Sequence, residues 1–351
     1  MRFQLEQPLP ALVDAKFTAA AEKQSLTFSA TEVCVIRTTS GVPFQLRYCP
    51  ALAKKPAASP PADAPPADDA PKKRFDPFEA PDDDLLVAAV PEPAAPSHIL
   101  VLNKYPVIRD HLIIATKDDK PQTQLLEQDD LDTTYAALGE WERAKKGPLF
   151  AFFNSGEHSG ASQPHRHLQF LPVDNMRSGA DTDGWDLLVD RILKSPHSVS
   201  TGFISDTSIP FAHFASRIPP NASGPELHTI YTALHSTAVE FVRKYIASHP
   251  QTPLALHSTA NAASSISYNM ALTTEAMVIA PRRRGGDALR NEDGSELLGP
   301  DDLVELNGTV LAGTLMVKEQ EQWDLLRSEP RALTDLLEAT GIPWGDKASS
   351  L

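Results

Sequence analysis

The sequence predicts an α+β fold, an antiparallel sheet flanked by helices. Three observations predict it. Short β-forming segments fall in adjacent pairs joined by turns, and helical patterns interrupt these pairs instead of alternating with single strands in βαβ order. No segment recurs at the period of roughly 20–50 residues that marks a solenoid. At about 150 residues per domain, a chain of 351 residues suggests two parts.

Taken in order, Glu32–Arg37 and Pro43–Tyr48 are β-forming runs across a Ser40-Gly41 turn, which predicts a hairpin. His98–Asn103 and His111–Thr116 are two further short strands. Asp129–Ala144 carries acids in its first turn, where they suit the dipole of a helix. Leu149–Asn154 and His165–Val173 are strands flanking the loop SGEHSGASQP, and Asp186–Ser195 is a short helix. Pro225–His249 has the longest helical pattern of the chain. Ile266–Leu272 and Ala276–Ala280 form a hairpin, and Asp301–Leu326 and Arg331–Thr340 are expected helices. We divide the chain into an N-terminal region, 1–198, and a C-terminal region, 199–351.

The proline count is unusual, 31 against 17 glycines. Much of the excess sits in Lys54–Pro96, whose first half is nearly pure Ala, Pro and Asp. Proline removes backbone donors, and the segment has few large apolar groups to offset the entropy of ordering. A disordered, Pro-rich surface loop is expected at about 56–74, with the following FDPFEAPDDDLLVAAV docking back onto the body. The formal net charge of −14 argues against long nucleic acids and anionic membranes, and leaves open a small phosphorylated ligand held by local cations and amides. Two cysteines, Cys34 and Cys49, are too few for a disulfide framework and read as free thiols in a reducing compartment. No signal peptide or membrane span is evident, so the expected location is cytoplasmic, with the nucleus as an alternative.

The chemistry concentrates in Asn154–Phe170, NSGEHSGASQPHRHLQF. His165, His167 and Gln169 recur at every second residue of the expected strand and so share a face. The preceding loop supplies Ser155, Gly156, Ser159, Gly160, Ala161, Ser162 and Gln163, small and donor-rich residues that let backbone N–H groups approach an anion. A neutral imidazole on a rigid strand beside such a loop suits attack on phosphorus. An H-x-H pair also presents two imidazoles to zinc; His158, His98 or His111 could add a third ligand, though none has a diagnostic spacing.

His165-Arg166-His167-Leu168-Gln169 resembles the H-x-H-x-Q signature of the transferase branch of the histidine-triad superfamily. The longer string, with HILVLNKYPVIRDHLIIATKD, SYNMALTTEAMVIAPR and NGTVLAGTLMVK, resembles the diadenosine tetraphosphate phosphorylases, or ATP adenylyltransferases, in order over most of the chain. The resemblance implies a histidine-triad-like sheet and phosphorolysis of diadenosine tetraphosphate (Ap4A) to ADP and ATP, reversible as adenylyl transfer from ADP to ATP. His167 would be the nucleophile, forming an adenylyl-histidine that inorganic phosphate resolves, with His165 holding its geometry and Gln169 donating to phosphate. Gly160, Ala161, Ser162 and Gln163 would hold the phosphate chain, with Asn154 and Ser155 nearby. Asn103, Lys104 and either Lys54 or Lys55 would lie near the nucleotide. Asn269, Met270 and Met277 would meet the second nucleotide, and Arg282 the distal phosphates. No protein metal ligands are implied; a divalent cation, Mg²⁺, would be held mainly by the substrate's phosphates. Two alternatives stay open, a hexose-1-phosphate uridylyltransferase-like enzyme and a non-catalytic nucleotide- or zinc-binding module. The oligomeric state is not readable from the sequence.

Overall fold

In the computed structural model, the described residues are 3–51, 75–178, 182–195, 202–291, 293–299 and 302–344. The Ala/Pro/Asp segment at 56–74, with Lys54 and Lys55, lies outside them.

The chain opens with α1 (Leu9–Glu22), whose Leu9, Val13, Phe17 and Ala20 recur every three or four residues and are all buried. Pro10 lies in its first turn, where the N–H that proline lacks would have no partner within the helix. The hairpin β1 (Glu32–Arg37) and β2 (Pro43–Tyr48) forms as expected, with Val35 opposite Gln45. Next come β3 (Leu86–Val90), β4 (His98–Leu102), β5 (Leu112–Thr116), α2 (Gln128–Arg143), β6 (Leu149–Ser155) and β7 (His167–Pro172). After the single turn α3 (Val173–Met176) follow α4 (Leu188–Lys194), β8 (Phe214–Arg217) and α5 (Gly224–Ser248). The C-terminal strands are β9 (Ser267–Leu272), β10 (Ala276–Arg282), β11 (Gly286–Asp287), β12 (Val304–Glu305) and β13 (Thr314–Val317), and the chain closes with α6 (Gln320–Ser328) and α7 (Pro330–Thr340).

Eight strands form one antiparallel sheet in the order β3-β4-β5-β7-β6-β9-β10-β8. Its strands come from both halves of the sequence, and β6 pairs with β9, Asn154 opposite Asn269. One face is covered by α1, α2 and α5, with Leu168, Phe170, Phe153, Met270 and Tyr231 in the intervening core. A second core under the other face gathers Phe150, Phe152, Leu171 and Val278 with α4, α6, α7 and a smaller sheet, β1-β2-β13. That smaller sheet ties the two ends of the chain together, since β13 runs parallel to β2 with Thr314 opposite Gln45.

The expected helix over Asp301–Leu326 is a correction. Its first half is β12, a 3-10 turn at Gly308–Ala312 and β13; only Gln320 onward is helical. Gly313, at φ 74°, takes the left-handed conformation that ends the turn and redirects the chain into β13. Strand β10 likewise runs on through Pro281 and Arg282. Cys34 and Cys49 are free thiols. Among the described residues, no helix is long and apolar enough to cross a membrane.

Candidate active site

Alternation along β7 sends Leu168 and Phe170 into the helix-side core and turns His167 and Gln169 the other way. His165 lies just ahead of the strand, in an isolated bridge with Pro121. Arg166, between the two histidines, points to the helix side, where it donates to Asp130 at 2.8 Å and Glu127 at 3.0 Å and so fastens the start of α2. Burial works to raise the Asp130 carboxyl, but its bonds to His98 and Arg166 outweigh that and hold it below the usual range.

The His167 ring is fixed in one tautomer. Its Nδ1 lies 2.8 Å from the carbonyl oxygen of His165. A carbonyl only accepts, so Nδ1 carries the proton and Nε2 keeps its lone pair. Burial lowers the imidazole to a pKa of about 4, which leaves it neutral at pH 7. Gln122, buried where β6 and β7 separate, accepts from the His167 N–H at 2.8 Å and donates to the carbonyls of Asn154 and His167 at 2.8 and 3.1 Å.

His165 is held from both sides. Nε2 lies 2.8 Å from the Thr116 carbonyl oxygen and Nδ1 2.6 Å from Asp76 Oδ2. The other Asp76 oxygen accepts from the Phe78 N–H at 2.9 Å, and the Phe78 ring packs 5.5 Å from His165 and 5.2 Å from His167. The expected docking of this segment therefore takes place over the histidine pair itself. Asp76, Phe78 and Gln122 were not among the expected site residues; the Asp-Pro-Phe string, with an Asp that turns the chain, was the one local signal for the first two.

Gln169 is oriented by a chain of bonds. His111 Nε2 lies 3.0 Å from Gln169 Oε1, and Asn103 Nδ2 lies 3.2 Å from His111 Nδ1. With its oxygen engaged, Gln169 keeps its amide N–H groups for a ligand. Asn103 thus acts through His111, a residue assigned only to the zinc alternative. Lys104 is exposed, and its ammonium is bonded to no described residue.

The loop between β6 and β7 leaves donors unused. The backbone N–H groups of Gly160, Ala161, Ser162 and Gln163 are bonded to no described residue. Four successive backbone donors without a partner among the described residues are open to an anion. Gly160, at φ 77°, packs so closely on the 306–307 backbone that a Cβ would meet the Leu306 oxygen at 2.6 Å. Beneath the loop the polar residues pair with one another. Asn154 Oδ1 accepts from Asn269 Nδ2 at 2.9 Å and the Gly308 N–H at 2.8 Å, and Asn269 also donates to the Ser159 carbonyl at 2.8 Å.

This network bears on several expected contacts. Arg282 is buried and donates to Asn269 Oδ1 at 2.7 Å and to the carbonyls of Thr340, Arg284 and Leu306 at 3.1, 2.9 and 3.2 Å. Its guanidinium ties these segments together, and burial lowers its pKa to about 9. Asn154 and Asn269 shape the loop from below. Met270 and Met277 are fully buried in the helix-side core, on the face opposite Asn269, so they serve packing. Ser155 follows Phe153 onto that same side. Among the described residues, two groups of His and carboxylate side chains converge closely enough to hold a metal, Asp76–Asp119–His165 and Glu157–His158–His257; His167 belongs to neither. His98 and His111, bonded to Asp130 and Gln169, also stand apart from the pair.

A neutral imidazole with a free Nε2, on a central strand beside a run of unused amides, is arranged to take up a phosphorus-bearing group. The class it fits is the nucleotidyltransferases. Residues 3–184 match the family model of the Ap4A phosphorylase N-terminal domain, and residues 207–343 that of the ATP adenylyltransferase C-terminal domain. The chain belongs to the Ap4A phosphorylase family and is an enzyme of nucleotidyl transfer. It is 25% identical over 355 residues to diadenosine 5',5'''-P1,P4-tetraphosphate phosphorylase 2 of Saccharomyces cerevisiae, covering 97% of this chain and 96% of the relative. To protein APA1 of the same yeast it is 24% identical, over 95% of this chain and 94% of the relative. Its fold matches the crystal structure of yeast Ap4A phosphorylase Apa2 with a TM-score of 0.73 at 22% identity, over 98% of each chain. It matches the Ap4A complex of Apa2 with a TM-score of 0.72, again at 22% identity, over 97% of this chain and 99% of that one.

Proposed function

We propose that the protein cleaves Ap4A phosphorolytically to ADP and ATP through an adenylyl group carried on His167. The observation that carries the reading is the His167 ring, neutral, with its proton held on Nδ1 by the His165 carbonyl and its Nε2 lone pair unengaged. Membership of the Ap4A phosphorylase family supports the substrate class, as do two relatives, one named a tetraphosphate phosphorylase and the other solved with Ap4A bound.

In the first step Nε2 attacks an α-phosphorus of the dinucleotide. An N–P bond forms, the bond from that phosphorus to the bridging oxygen breaks, and ATP leaves with the electron pair. In the second step an oxygen of inorganic phosphate attacks the same phosphorus, the N–P bond breaks, and ADP forms while His167 returns neutral. The amides of residues 160–163 and the Gln169 N–H groups meet the charge on the transferring oxygens. Read backwards, the same steps move an adenylyl group from ADP onto ATP. A divalent cation, Mg²⁺, would come with the polyphosphate, held mainly by its oxygens.

The test is incubation with Ap4A, with and without inorganic phosphate, and separation of products by chromatography. ADP plus ATP only when phosphate is present is the expected result; AMP plus ATP from water would assign the chain to hydrolysis. His167→Ala is expected to abolish turnover, a loss on the order of 10⁴-fold or more.

A further inference from the structure

Away from β7, two imidazoles and a carboxylate come together where the 156–164 loop meets the excursion that follows α5. Glu157, His158 and His257 each bring one ligand atom within 4.8 Å of the other two. Glu157 Oε1 lies 3.0 Å from His158 Nε2, and the rings of His158 and His257 stand 6.2 Å apart at 74° to one another. Rings at that angle approach from different directions, as ligands around one ion do, and do not stack.

We propose that Glu157, His158 and His257 bind a borderline divalent cation, zinc above all, at the rim of the phosphate loop. The donor set argues for the metal. Two imidazoles and one carboxylate are a common zinc set, whereas Mg²⁺ prefers oxygen ligands. Arg282 and Arg284 oppose a cation here; the Glu157 carboxylate, and Asp287, which pairs with Arg284 at 3.0 Å, offset part of that repulsion.

The platform is also rigid. The His158 N–H donates to Ser267 Oγ at 3.2 Å, the adjoining Ser159 carbonyl accepts from Asn269, and the His257 N–H donates to the Ser265 carbonyl at 2.8 Å. The ring nitrogens of His257 have no hydrogen-bond partner among the described residues. Glu157 is exposed and both histidines are half-buried, so three protein ligands leave the outward side of the ion open. The free amides of residues 160–163 begin two residues further along the loop. A phosphate oxygen held there would complete the coordination, a role that rests on the phosphorylase reading; the binding of metal does not.

The full-length protein, stripped with a chelator, is titrated with Zn²⁺ in competition with a chromophoric chelator, with Mg²⁺ as the control. One equivalent of zinc in the wild type, undisturbed by equal Mg²⁺, is expected. His257→Ala and Glu157→Gln are expected to weaken binding by about 10-fold or more, with the circular dichroism and melting temperature of the metal-free protein unchanged. No zinc bound, or zinc bound equally well by His257→Ala, would overturn the site. A lower KM for Ap4A with zinc in the wild type and not in His257→Ala would support the role beside phosphate. Zinc bound with KM unmoved would overturn that role alone, and loss of Ap4A turnover altogether would be a failure of the phosphorylase reading, separate from metal binding.

Discussion

The two hairpins that meet at the centre of the sheet treat their polar residues in opposite ways. In β9–β10, Asn269 and Arg282 are buried, and their polar groups bond to neighbouring side chains and to backbone carbonyls. In β6–β7, four amides of the connecting loop and one imidazole nitrogen of the strand have no partner among the described residues. Polar groups that satisfy one another are scaffolding, whereas solvent-facing groups that the fold leaves unengaged are available to a ligand. The first hairpin shapes the second: Asn269 holds the Ser159 carbonyl and Asn154, and Arg282 holds Asn269.

Breaking the scaffold is expected to have the largest effect on the fold. Arg282→Ala leaves at least three carbonyls and the Asn269 oxygen without their donor, and should cost about 3–5 kcal/mol in a denaturant titration. An Arg282→Ala protein with wild-type stability and a raised KM would instead make Arg282 a ligand contact. Gln169→Ala removes an amide donor from the open hairpin and touches little of the scaffold. It should lower kcat by roughly 10²-fold, the size seen for loss of one donor to a developing oxyanion, with the unfolding midpoint unmoved. The smallest effect is expected from pH. A histidine titrating near 6.5 would lose about 10-fold of its neutral form one unit below that value. His167, lowered to about 4, keeps its lone pair until the pH falls toward that value. The single-turnover rate of adenylyl transfer at saturating Ap4A should therefore change less than about twofold between pH 7 and 5.5. An acid limb centred near 6.5 would place the ring in a wetter site than this structure gives it.

The local pattern of the candidate site was easier to read in the sequence than the connections around it. The alternation His167-Leu168-Gln169 and the small residues of 156–163 are local patterns, and local patterns survive in one dimension. The antiparallel class was legible for the same reason, since most strands announce themselves in adjacent pairs. What escaped depended on distant contacts. Strand β13 exists because β2, far away in sequence, offers it an edge, so the run before Gln320 read as helix. Met270 and Met277 were assigned to the nucleotide although alternation from Asn269 places Met270 on the other face. Arg282 looked like a phosphate ligand because its partners, the carbonyls of residues 284, 306 and 340, carry no side-chain signature. Asp76 reaches His165 across 89 positions, a separation no motif spans. Helix α1 does carry a local signal, since Leu9, Val13, Phe17 and Ala20 stand at helical spacing.

The central claim is that His167 carries the adenylyl group. It is tested most directly by mass spectrometry of the protein incubated with Ap4A in the absence of phosphate. One adenylyl group on the peptide containing His167, released as ADP when phosphate is added and absent from His167→Ala, is the predicted result. Phosphate-dependent formation of ADP and ATP by His167→Ala, with no labelled peptide in the wild type, would contradict it.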